Sequence, residues 1–177
     1  GTSKSSIVTV LFPLWCWTIA PHMRFICGSY SSTISEDLSD KARRVFTSSF
    51  YNELFPYIGI RSDAKTKLEN LNKGERYTTS TGAGATGLHA DIILIDDPLN
   101  PQQSASDAER ETANKWIVET LSTRKTNKKI SATILIMQRL HEDDPTGFIL
   151  SKNLKVNHIC LPAELSENVY PENLKEF

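Results

Sequence analysis

The chain has 177 residues, a formal net charge of -1, 39% hydrophobic and 23% charged residues. That length supports one domain with a core of its own, the composition is that of a soluble globular chain, and the charge excludes a global basic field, so any nucleic-acid contact must come from a local patch. Cys16, Cys27 and Cys160 are sparse, odd in number and without CxxC spacing, which argues for reduced thiols in a cytosol-like compartment and against a disulfide framework or structural zinc.

The chain opens GTSKSS, a small polar turn in which Lys4 is followed by Ser5. Residues 5–19 read as an apolar helix after that turn, with Pro13 a candidate kink. The run IVTVLFPLWCWTIA has a signal-peptide look, but it lacks a basic leader, contains a Pro and is too short to span a bilayer, so a buried helix is expected. MRFICGSYS (23–31) suits a buried strand ending in a Gly-Ser loop. Residues 34–55 show helical spacing at Ile34, Leu38, Ala42, Val45 and Phe46, with Ser35 as cap, Glu36 and Asp37 in the first turn, and Pro56 as stop.

Residues 57–75 are polar and weakly patterned. ERYTTSTGAGATGLHA (75–90) begins strand-like and becomes a Gly-rich loop. DIILIDDP (91–98) carries four consecutive apolar residues, as in a strand buried on both faces. Residues 105–125 predict a helix with Ala108, Thr112, Trp116, Val118, Glu119 and Leu121 near one side. ISATILIMQRLH (130–141) is another apolar strand, DDPTGFILSKN (143–153) a short helix opened by a capping Asp, and VNHICLPAEL (156–165) a last strand. The tail NVYPENLKEF is polar. No internal repeat or low-complexity linker is evident.

This alternation predicts an α/β fold, a mainly parallel sheet with helices on both faces. Ligands in such sheets sit beyond the carboxyl ends of the strands. The residues there are Asp96–Asp97 after IILI, Gln138–Arg139 after ATILIM, Gly28–Ser29 after RFIC, and the GTSKSS turn. An apolar strand ending in two acids offers one carboxylate to hold a hydrated Mg²⁺ and another to orient or deprotonate a water, since Mg²⁺ takes few carboxylates and fills the rest of its shell with water and phosphate. Asp-Asp-Pro is also ordinary turn chemistry.

A phosphate-binding loop ends in Lys-Ser or Lys-Thr. Its backbone N–H groups and the helix amino terminus hold phosphates, the Lys neutralises the β- and γ-phosphates, and the hydroxyl joins the Mg²⁺ shell. Lys4 and Ser5 fit those parts, with Gly1, Thr2, Ser3 and Ser6 completing the nucleotide-contacting turn. The full G-x-x-x-x-G-K-[ST] pattern is not met, because Ser3 stands where the second Gly belongs and the first would precede residue 1. A Lys/Ser turn entering a helix, followed later by an acidic strand tip, is the order that phosphate-loop NTPases use. Gln138 at the next strand tip could meet the γ-phosphate or its attacking water, and Arg139 could stabilise charge developing in transfer. Both are also common solvated residues, and His141 is more simply a capping or surface group.

Several segments together resemble the ATPase domain of the large terminase subunit of tailed bacteriophages: RFICGSYS, DLSDKARR, TTSTGAGATGLHADIILIDDPLNPQ, ILIMQRLHEDDPTGFIL and CLPAEL. The similarity runs from GTSKSS to about residue 165 and is weakest over 57–74. It implies a phosphate-loop NTPase core of the RecA/helicase-like type over 1–165, truncated at both ends, with 166–177 starting a linker toward an absent nuclease domain. It implies ATP and Mg²⁺ as ligands, and a motor that moves double-stranded DNA into a procapsid as a ring of subunits, with portal protein and small terminase subunit as partners in the host cytoplasm. Residue by residue, Lys4 and Ser5 match the loop Lys and hydroxyl, and Asp96 the Mg²⁺-holding acid. Asp97 stands at the catalytic acid, usually Glu, and Gln138 lies in the segment that couples hydrolysis to movement.

Two basic stretches offer DNA contacts: Lys41, Arg43 and Arg44 on a helix, and Arg124, Lys125, Lys128 and Lys129 before the Gln138 strand. Either is also a solvated surface. The alternatives to the motor are a catalytically inactive nucleotide- or DNA-binding fragment and a helicase-like translocase domain.

Overall fold

The computed structural model describes residues 3–162 and 169–176. Six strands, β1 (Arg24–Ser29), β2 (Ile60–Ala64), β3 (Lys67–Asn70), β4 (Glu75–Ser80), β5 (Ile92–Asp96) and β6 (Ala132–Ile136), form one sheet in the order β2-β3-β4-β1-β5-β6. The four strands β4, β1, β5 and β6 run parallel, and β2 and β3 add an antiparallel edge. The fold is therefore α/β with a mixed sheet.

Alternation along the central strands divides the core. Phe25, Cys27 and Leu94 pack with Val10, Leu14, Trp17, Leu38 and Phe46, which come from an amino-terminal helix and from α2 (Ser32–Phe46). Ile26, Ile93 and Ile95 face the other way, onto Trp116, Ile117 and Leu121. Side chains of successive strand residues point to opposite faces, so β1 and β5 are buried on both.

The amino-terminal helix is continuous from Lys4 but wide at its start. Residues Ser6–Leu11 are π-helical and lead into α1 (Phe12–Ile19), with Pro13 in its first turn. The Phe12 N–H reaches back five residues to the Ile7 carbonyl. Pro13 has no N–H to give, and the widened turn absorbs it without ending the helix.

The expected helix over 34–55 is two helices. Thr47 ends α2, and Ser48 caps α3 (Ser49–Leu54) by accepting from the Tyr51 N–H. Ser31, not Ser35, caps α2, accepting from the Ile34 N–H; Ser35 is buried and takes the Ser29 N–H instead. The weakly patterned 57–75 stretch holds the β2–β3 hairpin. Only Leu68 and Asn70 of β3 are buried, and the intervening charges are cross-paired, Lys67 with Glu69 and Glu75 and Arg61 with Glu69.

On the second face, α4 (Pro101–Ser104) starts in a capping box between Asn100 and Gln103. Ser106 caps α5 (Asp107–Lys115), which continues through a π turn Trp116–Leu121 and a 3-10 turn Ser122–Arg124. The wide turn brings Trp116, Ile117 and Leu121 inward and leaves Val118 exposed. Asp144 caps α6 (Pro145–Ser151). Residues 156–162 form no strand; their one ladder contact is the antiparallel bridge Cys160–Tyr170, and 163–165 lie outside the described residues, as does the expected domain boundary at 165/166. Among the described residues no helix is long and apolar enough to cross a membrane.

Candidate functional site

The strand tips of the parallel half meet at one end of the sheet. In the β1–β5 register Ser29 lies beside Asp96, and in the β5–β6 register Asp96 lies beside Ile136. The start of the amino-terminal helix packs against this edge. Ser5 donates its hydroxyl to Asp96 Oδ1 at 3.0 Å, and Thr9, one helical turn on, donates its hydroxyl to Asp96 Oδ2 at 2.9 Å. The two hydroxyls share a helix face because residues i and i+4 do.

Asp96 is 3% exposed. Burial pushes its carboxyl above the ordinary aspartate value, and the neighbouring charge of Asp97 adds to that; the Ser5 and Thr9 hydroxyls and the Lys4 ammonium oppose it. Lys4 itself is exposed at the first helical position. Ser3, just before it, has φ +55°, the left-handed conformation that glycine adopts freely and serine reluctantly. Ser3 adopts that geometry although it carries a side chain.

Asp97 is exposed and also left-handed, φ +46°. Its peptide leaves the β5 ladder and joins two strand tips. Its N–H donates to the Ile136 carbonyl at 2.8 Å and its carbonyl accepts from the Tyr30 N–H at 3.0 Å. Its Oδ1 accepts from the Gln138 N–H at 3.2 Å. The Gln138 side chain is exposed.

Arg139 turns away into its own loop. Its Nε donates to Asp144 Oδ2 at 3.0 Å, and its terminal nitrogen donates to the carbonyls of His141 and Glu142. Asp144, fully buried, also accepts from the N–H groups of Leu140, His141 and Gly147. The Arg139–Asp144 pair thus staples the 139–147 loop.

The structure brings Ser5, Asp96, Asp97 and the Gln138 backbone together, with Lys4 within electrostatic reach. It does not bring Arg139 to them. Ser6 is exposed on the first turn, while Gly1 and Thr2 lie outside the described residues. Gly28, also at a strand tip, has a packing reason: a Cβ there would stand 2.6 Å from the Trp116 ring, whose Nε1 donates to the Ala83 carbonyl at 3.1 Å and so ties the Gly-rich loop down. Thr9 joins this cluster although it lies at no strand end; its spacing of four from Ser5 is the signal for it.

Among the described residues no three His, Cys, Asp or Glu side chains cluster as a metal cage. The Ser5–Asp96 pair is a different donor set, one hydroxyl and one carboxylate. Such hard oxygens suit Mg²⁺, which keeps most of its shell for water and phosphate, so the residues present fit that ion.

The structure matches the crystal structure of the HK97 bacteriophage large terminase with a TM-score of 0.52 at 14% identity, covering 85% of this chain and 31% of that one. The likeness is one of fold, and the chain spans about a third of that protein's length. No protein-family model and no curated protein matches.

Proposed function

We propose that this chain is the ATP-hydrolysing motor domain of a viral DNA-packaging terminase. The observation that carries the proposal is the Ser5–Asp96 contact at the carboxyl end of the sheet. It unites a Lys-Ser helix start with an acidic strand tip on a fold like that of a phage large terminase.

In this mechanism Lys4 and the first N–H groups of the helix bind the β- and γ-phosphate oxygens of ATP. The Ser5 hydroxyl and Asp96 carboxylate would hold Mg²⁺, which supplies neutralisation of charge on the β- and γ-phosphate oxygens when bound. Ser3, in its left-handed turn, presents the peptide ahead of Lys4, Ser6 follows on the first helical turn, and Gly1 and Thr2 are proposed as further nucleotide contacts. Asp97 orients the attacking water and takes its proton. Its left-handed backbone and its bond to the Gln138 N–H hold the carboxylate between the β5 and β6 tips. The Gln138 side chain then reads the γ-phosphate or that water. Arg139 would reach a phosphate only by leaving Asp144, so its part is a conformational one: the loop opens when the charge transfers.

Double-stranded DNA is the partner of the motor, with portal protein and the small subunit docking the assembled ring. Of the two basic stretches, the helical one is largely neutralised, since Lys41 pairs with Asp37 and Arg43 with Asp40. The stretch Lys125, Lys128 and Lys129 is therefore the better DNA contact, with Lys128 and Lys129 exposed.

The test is phosphate release from Mg·ATP with and without linear double-stranded DNA. DNA-stimulated release that Asp96→Ala abolishes supports the motor. Mg·ATP binding with no release at any DNA concentration favours the inactive nucleotide-binding module, in which the short Asp97 does not reach the water.

A further inference from the structure

Arg76 on β4 has no exposed surface. Its register partners are Phe25 and Leu68, so it sits in the core beneath the amino-terminal helix. Arginine is rarely buried fully without a carboxylate beside it, yet its hydrogen bonds go to neutral oxygens: Thr78 Oγ1 at 3.2 Å and the Thr9 carbonyl at 3.1 Å. Its Nε has no hydrogen-bond partner among the described residues.

The Thr9 carbonyl lacks an α-helical donor from its own chain. The residue four positions on is Pro13, which has no N–H. Thr9 is also the residue whose hydroxyl meets Asp96 Oδ2. One residue thus faces a buried cation with its peptide oxygen and a buried carboxylate with its side chain. Cys27, on the neighbouring strand, has its thiol pushed up by burial, with Arg76 lowering it and Asp96 raising it.

We propose that Arg76 is a positioning residue. By holding the Thr9 peptide oxygen it seats the start of the amino-terminal helix on the sheet, and so fixes the Ser5 and Thr9 hydroxyls against Asp96. The purpose of that seating rests on the nucleotide-site proposal; the seating does not. An arginine that merely filled space would be replaceable by an apolar side chain of similar volume, whereas one that answers Pro13 is tied to it.

The experiment is a double-mutant cycle of Arg76→Gln with Pro13→Ala in the full chain, read by amide hydrogen exchange of residues 5–12 and by Mg·ATP affinity. Leu68→Ala, in the same core, is the control for general destabilisation. Arg76→Gln is expected to speed local exchange and weaken Mg·ATP binding about tenfold each, the factor expected of one hydrogen bond from a charged donor, beyond anything Leu68→Ala does. In the Pro13→Ala background an α-helical turn with its own N–H to Thr9 becomes available, and the Arg76→Gln effect is expected to shrink to about twofold. Equal effects in the two backgrounds, or unchanged local exchange in Arg76→Gln, would overturn the proposal. If Arg76→Gln alone does not fold, recovery of folding by Pro13→Ala supports the proposal, and the same cycle run with Arg76→Lys showing strict additivity refutes it. A wild-type chain that takes up no Mg·ATP defeats the nucleotide-site proposal, and the exchange measurements then decide the role of Arg76 by themselves.

Discussion

The two ends of this sheet treat charge in opposite ways. At the antiparallel edge the charges on and beside β3 are cross-paired: Lys67 lies between Glu69 and Glu75, and Arg61 also reaches Glu69. Those groups satisfy one another and leave little to offer a ligand. At the carboxyl end of the parallel half, buried Asp96 is held, among the described residues, by two neutral hydroxyls, and Lys4 lies within electrostatic reach. The difference separates paired structural charge from the charge that the proposed nucleotide site would use. Charge that is buried beside neutral donors carries a folding cost, which a bound cation would relieve, and such uncompensated groups concentrate where chemistry occurs.

Substitutions should respond according to that contrast. The largest effect falls on Asp96. Asp96→Asn is expected to cut Mg·ATP turnover by at least about a hundredfold, while raising the melting temperature of the free chain by roughly 2–4 °C for each kcal/mol of buried charge removed. Steady-state phosphate release and a thermal melt check both halves. Loss of turnover with a lower melting temperature would mean that Asp96 is a structural acid. Next comes Lys4→Met, which should weaken nucleotide binding about ten- to a hundredfold, the range of a hydrogen bond to a charged group, with no change in melting temperature, since Lys4 is exposed.

The antiparallel edge should show the reverse. Glu75→Gln is expected to cost about 1 kcal/mol or less in denaturant unfolding and to leave turnover alone. Acidification sharpens the contrast further. Lys67 holds the Glu69 carboxyl below its ordinary value, chiefly by their hydrogen bond, so the stability it contributes is present above the ordinary value and is lost as pH falls through the lowered one. Asp96 is raised by burial, so its ionised form weakens the fold at neutral pH, and that penalty fades as pH falls through the raised value. Residue-resolved amide exchange should therefore show the two regions responding oppositely to acidification, the site firming and the β2–β3 hairpin loosening. The smallest effect is expected at Asp37→Asn, whose ion pair with Lys41 lies in solvent; a change within about 0.5 kcal/mol is expected.

What the sequence made visible follows the same division. The runs RFIC and IILI are apolar because β1 and β5 are buried on both faces, and those strands were legible for that reason; β6 was legible from the apolar run ATILI, although it lies at the sheet edge and is only partly buried. The rule that chemistry gathers beyond strand ends led to Lys4, Ser5, Asp96, Asp97 and Gln138, which the structure gathers at that end of the sheet. The hairpin was not legible, because its inward residues are only Leu68 and Asn70 and paired charges hide the alternation. Ser35 looked like a cap because serine suits that place, but Ser31 is one turn closer to the strand and takes it. Arg76 gave no warning, since nothing local tells an arginine in ERYTTS that it will be buried. Its meaning depends on Pro13, far away in sequence, and on a carbonyl that only the folded helix exposes. Arg139 was legible as a charge at a strand tip but not as half of a staple, because its partner Asp144 reads first as a helix cap.

The central claim is that the helix start and the β5 tip form one Mg²⁺–triphosphate site. Its most direct measurement is the melting temperature of the wild-type chain with ATP, with and without Mg²⁺, beside that of Asp96→Asn. A ligand selective for the native state stabilises it by mass action. The expected result is a rise with Mg·ATP that chelation removes and that Asp96→Asn does not show. An equal rise in Asp96→Asn would contradict it, because the nucleotide would then be bound without the carboxylate that anchors its metal.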